Sequence, residues 1–334
     1  MAPRKSTLIS YLIFFLILAA ISLLHLAAAF VTFLFACFAL HQLNFRNRKW
    51  LAVGLFMLLL AAVSWVFFLF LKSAIEVLPD IVANSIRGIV KYGLDHDIEV
   101  PFADNADSLK DLAVDTVKQN LMYLQNFVKI ATKEFVFQVI AVVVSIGLFF
   151  NPHLSLKAGD GTTRPTLYEV FYEGMACRFR SFFHSFVRVM GAQLRISLIN
   201  TALTSIFVIA CALPYAWLVI ILTFVCGMLP IVGNILSNIL IVGLAFTVSP
   251  HLALTALIFL VAIHKLEYFL NSRIIGARIR HPMWLMLLAL IAGERLMGIP
   301  GIILAPVILC FVKVEMSKYE VGPNGEVIEI APPP

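Results

Sequence analysis

Charge is what this sequence lacks most. Of its 334 residues only 13% are charged, whereas 61% are hydrophobic, and the mean hydropathy is +0.96. Soluble globular chains carry about 25% charged residues, so this chain has too little polar surface for a water-soluble fold of its size. Its apolar runs are continuous and do not alternate every second residue as in transmembrane β-barrels. The composition therefore predicts an all-α polytopic membrane protein.

Paired cysteines and catalytic motifs are lacking too. The five cysteines show no paired spacing, so neither a disulfide framework nor a metal site is indicated. The sequence contains no phosphate-binding loop, no His-Glu-x-x-His and no Gly-x-Ser-x-Gly. In a membrane protein the net charge of +6 mainly reports which loops remain in the cytoplasm. We expect no enzyme activity, no cofactor, no metal and no nucleic-acid partner.

The charge-free stretches predict the membrane spans, because a helix needs about 20 apolar residues to cross the hydrocarbon core. Residues 6–45 suffice for two spans that break near His25, and residues 50–71 and 135–156 for one each. The other charge-free stretches are residues 196–264, 281–293 and 296–312. Together they predict about six full spans plus two broken, re-entrant helical hairpins, with an extramembrane helical segment. Eight ordinary spans are the alternative count.

Two apolar segments, residues 216–248 and 283–312, are interrupted near their middle by glycine and proline. If the first segment dips into the membrane and returns, the arginines at 273, 278 and 280 stay cytoplasmic, as the positive-inside rule requires. Two such hairpins of opposite orientation would form an inverted repeat, in which secondary transporters place their binding site near the midplane. The glycines and prolines that would shape the two breaks are Gly227, Pro230, Gly233, Gly298, Pro300 and Gly301.

These patterns divide the chain into six segments. They are spans 1–3 (1–72), an extracytoplasmic helical segment (73–133), span 4 (134–152), a cytoplasmic amphipathic helix (153–193), the transport core (194–316) and a cytoplasmic tail (317–334). Within the second segment, a capping-box pattern at Ser108 predicts the start of an amphipathic helix. Arg4 and Lys5 place the N-terminus inside, so both termini are expected in the cytoplasm. The polar tail is expected to be loosely ordered.

Two motifs carry a family resemblance. Residues 229–233, Leu-Pro-Ile-Val-Gly, and the block from His264 to Pro306 resemble the autoinducer-2 exporter-like permeases. The resemblance implies a multi-pass permease of the inner membrane that exports a small polar solute such as autoinducer-2. It also implies a homo-oligomer, for which a pentamer is one candidate. Some relatives are associated with Na⁺/H⁺ exchange. The chain departs from the family pattern at Asn234, where proline is common, and at Glu294-Arg295, where small or apolar residues are usual.

Glu267 is the strongest candidate for a working residue, because ionisable groups at membrane depth are costly and usually functional. His264 and Asn271 lie three and four residues away, on the same face of a predicted helix. Glu267 could carry H⁺ or Na⁺, or accept a hydrogen bond from a hydroxylated solute. Alternatively, it is a helix-end carboxylate paired with Lys265 or Arg273. The other candidate solute- or ion-binding residues are Asn234, Ser237, Asn238, Asn271, Glu294 and Arg295.

Three functions stay open from the sequence. The first is a secondary transporter in the lipid bilayer with its site between residues 227–238 and 293–306. Its transport of a small solute could be coupled to H⁺ or Na⁺. The second is a Na⁺/H⁺ antiporter that uses Glu267 or Glu294. The third is a membrane scaffold or assembly factor that binds partners through residues 72–134.

Overall fold

A computed structural model describes residues 5–45, 48–95, 115, 134–151, 167–229, 232–275, 282–321 and 327–329. Almost all of these residues are helical, so the predicted all-α fold class is confirmed. The helix predicted to start at Ser108 lies outside the described residues, as do the side chains of Asn234, Asn271 and Arg273 and the whole of Pro230.

The described residues of the first half include four helices. They are α1 (Lys5–Leu23), α2 (Ala27–Gln42), α3 (Lys49–Asp95) and α4 (Glu134–Phe150). The predicted break near His25 is confirmed, because α1 and α2 are bent by 118° there and His25 has φ of 55°. Helix α3 passes residue 72, the predicted end of the third span, without interruption.

The part of the second half that the structure describes contains six helices and one small sheet. They are α5 (Leu167–Ala210), α6 (Ala216–Gly227), α7 (Val232–Val248), α8 (Pro250–Ile275), α9 (Met283–Met297), α10 (Ile299–Met316), β1 (Tyr319–Val321) and β2 (Val327–Glu329). Helix α5 continues through the predicted boundary at residues 193 and 194. The strands pair antiparallel, with Tyr319 opposite Glu329. For residues 319–321 and 327–329 the expectation of a loosely ordered tail is therefore wrong, and the sequence Asn324-Gly325 between them is a hairpin signal.

Four of the described helical segments are long and apolar enough to cross a membrane. They are Lys49–Ser73, Phe171–Ala210, Pro250–Glu267 and Ile299–Met316, and the bent α1–α2 pair would make a fifth if it counts as one span. This number is below the predicted six because α4, α6 and α7 are shorter than about 20 residues as described. On α3 the apolar side chains of Leu58, Trp65 and Phe68 are 60–69% exposed, as expected for a surface in contact with lipid.

The chain divides into two compact units. The first comprises residues 1–56, 134–191 and 275–334, and the second residues 57–133 and 192–274. In the core of the first unit, the rings of Phe14, Phe182 and Phe311 lie 5.2–5.6 Å apart. In the core of the second unit, Phe207 stacks on Phe259 at 4.2 Å. Such aromatic pairs contribute about 0.5–1.5 kcal/mol beyond the area that they bury.

In the second unit, the first predicted break is confirmed between α6 and α7. A Cβ atom on Gly233 would lie only 1.6 Å from the carbonyl oxygen of Cys226. Glycine is therefore required where the first turn of α7 packs against the end of α6.

In the first unit, the second break falls at Gly298, whose φ of 64° favours glycine. A Cβ atom on Gly301 would lie 1.8 Å from the carbonyl oxygen of Gly293, so α9 and α10 pack closely. Pro300 occupies the first turn of α10, where its missing N–H has no helical partner to lose. Glu294 and Arg295 precede this break and belong to the last turn of α9. Both residues favour helix, and the helix ends only where the backbone of Gly298 turns.

Candidate functional site

A cluster of polar side chains lies within the second unit, on four helices of otherwise apolar sequence. It lines a cavity of about 10 Å³, roughly the room that one water molecule needs. The polar lining residues are Asn200 and Thr204 on α5, Thr223 on α6, Ser237 and Asn238 on α7, and His264 and Glu267 on α8. We call this set the polar cavity. Among the described lining residues, one carboxylate is accompanied by neutral hydroxyl and amide groups and by one imidazole.

Glu267 is the buried carboxylate of the polar cavity, with 8% of its surface exposed. The Asn200 side-chain amide donates a hydrogen bond to Glu267 Oε2 at 3.3 Å. His264 Nδ1 lies 3.8 Å from the same oxygen, while its side chain is 69% exposed. The predicted helix face that Glu267 shares with His264 is thus confirmed. Lys265, one of the alternative partners, is exposed on α8.

Asn200 leaves an open hydrogen-bond acceptor in the site. The residue is 6% exposed, and its Oδ1 atom is buried without a hydrogen-bond partner among the described residues. A buried polar atom without a partner costs about 1–3 kcal/mol, and a bound water or ion is one explanation for it. Asn200 therefore offers one oxygen to a ligand while its amide group orients Glu267.

Contacts from α5 hold the end of α6 beside the site. Gln193 donates a hydrogen bond to the carbonyl of Gly227 at 2.7 Å, and Ser197 donates one to the carbonyl of Phe224 at 2.8 Å. These carbonyls belong to the last turn of α6, where helical partners are missing. A Cβ atom on Gly227 would lie 2.6 Å from Ser197 Oγ. The first break is therefore fixed to the helix that also carries Asn200.

The structure brings only some of the sequence candidates together. Ser237, Asn238 and Glu267 line the polar cavity. Asn234 lies in α7 and Asn271 in α8, and their side chains lie outside the described part. Glu294 and Arg295 belong to the first unit, where their side chains are 56% and 85% exposed and approach each other to 3.8 Å.

Sequence reasoning missed Asn200, Thr204 and Thr223. A signal was present, because polar residues recur three or four positions apart within the charge-free run after Arg195. They are Ser197, Asn200, Thr201, Thr204 and Ser205. Such a polar stripe on one side of a membrane helix indicates contacts with other helices or with a hydrophilic ligand.

Sequence reasoning also missed a buried ionic network in the first unit, centred on Glu315. This residue is 4% exposed and lies 2.5 Å from both Arg178 and Lys318. Tyr11 and Ser181 donate further hydrogen bonds to it, and the Arg178 guanidinium lies 4.0 Å from the centre of the Tyr11 ring. With donors on both oxygens, Glu315 joins α1, α5 and α10, and it has the environment of a structural residue.

Comparisons with known proteins show the family of the chain. The chain matches the sequence model of the AI-2E family transporters over residues 6–320. It is also 27% identical over 239 residues to a protein of Bacillus subtilis (strain 168) named "Putative transport protein YdbI", covering 69% of this chain and 68% of that protein. The family match spans nearly the whole chain, including both units. This chain therefore belongs to the AI-2E transporter family and is a multi-pass membrane permease.

Proposed function

We propose that the protein is a cation-coupled secondary transporter and that the polar cavity binds the coupling ion. The observation that carries this proposal is a buried carboxylate, Glu267, in a cavity of about 10 Å³ beside Oδ1 of Asn200, which has no partner among the described residues. The site binds Na⁺ and H⁺ in competition, with H⁺ on the Glu267 carboxylate or Na⁺ among the surrounding oxygens.

The chemistry of the lining supports a monovalent cation. Hard cations take carboxylate, amide and hydroxyl oxygens as ligands, and these are supplied here by Glu267, Asn200, Thr204 and Ser237. One carboxylate balances one positive charge, which favours a monovalent ion over a divalent one. The cavity is far below the roughly 300 Å³ of a typical small-molecule site. It therefore fits an ion and excludes a solute of the size of autoinducer-2.

The family supports a proposal for the transported solute. We propose a small polar molecule, with autoinducer-2 as the first probe, exported through the inner membrane by a homo-oligomer with both termini in the cytoplasm. The sequence pattern of two interrupted hairpins, which is typical of inverted-repeat transporters, supports movement of the ion and the solute in one alternating cycle.

Proteoliposomes test this coupling. With autoinducer-2 as solute, an imposed Na⁺ gradient should drive its net movement in the wild type. Glu267→Gln should abolish the dependence on the gradient, because it removes the charge that binds the ion. Glu173→Gln, an exposed position on α5, serves as the matched control and should behave as wild type. Unchanged gradient dependence in Glu267→Gln would refute the assignment of the ion site.

A Na⁺/H⁺ antiporter is the second candidate, in which the cation itself is the cargo. The exposed imidazole of His264, 3.8 Å from Glu267, favours it, because histidine can relay protons between water and a buried carboxylate. In vesicles without any solute, Na⁺ addition should then move protons across the membrane. If the Na⁺ gradient drives solute movement but Na⁺ alone moves no protons, the coupled exporter is the better description. If Glu267→Gln leaves the cellular function intact while deletion of residues 72–134 abolishes it, the scaffold hypothesis replaces both.

A further inference from the structure

A large cavity opens on the first unit, separate in sequence and chemistry from the polar cavity. Its volume is about 980 Å³, at the upper end of the range for small-molecule sites. It lies between the end of α2, the beginning of α3, the end of α4 and the first half of α5. Its walls are largely apolar and aromatic, formed among others by Phe149, Phe179 and Phe183. We call it the aromatic groove.

The groove carries positive charge. Lys49 donates a hydrogen bond to the carbonyl of Phe150 at 3.0 Å, which holds its ammonium group at the groove, and Arg180 is an exposed lining residue. The described lining contains no aspartate or glutamate. An ammonium and a guanidinium on one apolar cavity complement the charge and the oxygens of a phosphate group.

Two histidines add hydrogen-bonding groups to the lining. Nδ1 of His41 lies 2.7 Å from the carbonyl oxygen of Cys37, and Nδ1 of His184 lies 2.7 Å from that of Arg180. Each Nδ1 atom therefore donates its hydrogen to the backbone, and each Nε2 atom remains for a ligand or for water.

The groove lies at the ends of apolar helices, where membrane meets water. Helix α2 ends at Gln42, α4 at Phe150, and α3 begins at Lys49. Trp50 is 81% exposed and packs its ring 4.6 Å from that of Phe150, and tryptophan is enriched at the level of lipid headgroups. The basic residues Arg46, Arg48 and Lys49 favour the cytoplasmic side for this end. Lipids of the cytoplasmic leaflet are partly anionic.

We propose that the aromatic groove binds an anionic phospholipid. Its phosphate contacts Lys49 and Arg180, and one acyl chain lies along Phe149, Phe179 and Phe183. Basic pockets between membrane helices on the cytoplasmic side are known to accept such headgroups. A free phosphate would use the two cations but would leave the apolar walls uncovered. This inference does not depend on the proposed function.

Lipid competition tests the proposal. The purified protein is equilibrated with phosphatidylglycerol and phosphatidylcholine of identical acyl chains, and the retained lipid is counted by native mass spectrometry. Two cationic contacts predict about a 30-fold preference for the anionic lipid. In Lys49→Gln/Arg180→Gln the preference should nearly vanish. Lys91→Gln/Arg195→Gln removes two exposed charges elsewhere and should keep the preference.

A steric variant tests the acyl-chain part separately. Ala176→Trp fills the groove lining without changing charge, so it should lower retention of both lipids while circular dichroism stays unchanged. The proposal is overturned if the Lys49/Arg180 variant keeps the wild-type preference, if the control pair loses it equally, or if Ala176→Trp retains lipid as wild type. It is also overturned if inorganic phosphate displaces the lipid at comparable concentration, since the groove would then be a site for free anions.

Discussion

At the scale of single residues, the polar cavity combines a buried carboxylate, Glu267, with a buried amide oxygen, Oδ1 of Asn200. A carboxylate inside an apolar helix costs a few kcal/mol on insertion scales. Oδ1 of Asn200, which is without a partner in the described part of the chain, adds a further cost. A fold that only needed stability would replace both by apolar side chains. Under the proposed function, the pair serves a ligand that binds and leaves.

Asn200→Ala should weaken cation binding. The change removes one oxygen from the polar cavity and also the amide that orients Glu267 at 3.3 Å. We expect the apparent Na⁺ affinity in transport assays to fall about 10-fold or more, as one lost hydrogen-bonding group of about 1–3 kcal/mol implies. Ser205→Ala on the same helix is the control, because its hydroxyl already bonds to the carbonyl of Thr201. Equal Na⁺ affinities for the wild type and Asn200→Ala would speak against a role of Asn200 in the site.

Glu315→Gln should act on stability and leave ion binding alone. It would leave the positive charge of Arg178, whose side chain is 11% exposed, without its partner, and breaking a buried pair costs about 3–5 kcal/mol. We expect a clearly lower midpoint of thermal unfolding in detergent. The Na⁺ affinity of the remaining folded protein should equal that of the wild type. A loss of Na⁺ affinity without loss of stability would assign Glu315 to the transport path.

The sequence identified Glu267 but not Asn200, and the reason is physical. A glutamate in an apolar run is recognisable because its desolvation cost is high. An asparagine is cheaper and common in membrane helices, and its partner lies 67 positions away in the chain. Only the packing of α5 against α8 shows that Asn200 faces the carboxylate. Glu294 was a candidate by residue type alone, and its side chain is 56% exposed.

At the scale of elements, the helix breaks were predictable because glycine and proline mark them. The breaks at Gly227–Gly233 and at Gly298 follow from close backbone approaches and from one positive φ angle. The sequence did not predict that α3 continues beyond residue 72 or that α5 continues through residues 193 and 194. Hydropathy reports where a helix leaves the bilayer, whereas the backbone can remain helical in water. Both helices therefore continue through positions where polarity changes.

Gly301→Ala should destabilise the α9–α10 pair. The added Cβ would meet the Gly293 carbonyl oxygen at 1.8 Å and the Met297 Cβ at 2.9 Å, so the two helices would have to separate. We expect a loss of more than 1 kcal/mol in unfolding free energy. Gly54→Ala and Gly147→Ala are matched controls in helices, because nothing lies within 4 Å of their added Cβ atoms. They should be neutral or slightly stabilising. Similar melting of Gly301→Ala and the controls would contradict the close packing.

At the scale of the whole molecule, the inverted repeat stays a prediction of the sequence. It requires residues 216–248 and 283–312 to enter the membrane from opposite sides, with the arginines between them in the cytoplasm. In a background without the native cysteines, Arg278→Cys should resist a membrane-impermeant thiol reagent in intact cells. It should react once the membrane is opened. Labelling of Arg278→Cys in intact cells would contradict the hairpin topology and favour ordinary kinked spans.

Proton release on Na⁺ binding tests the central claim most directly. Purified protein in weak buffer receives NaCl, with choline chloride as the control for ionic strength, and a pH dye records the released protons. If Na⁺ displaces H⁺ from the Glu267 carboxylate, the wild type should release protons in a saturable manner, up to about one per chain, and Glu267→Gln should release none. Undiminished release from Glu267→Gln, or no release from the wild type at any pH at which it transports, would contradict the account.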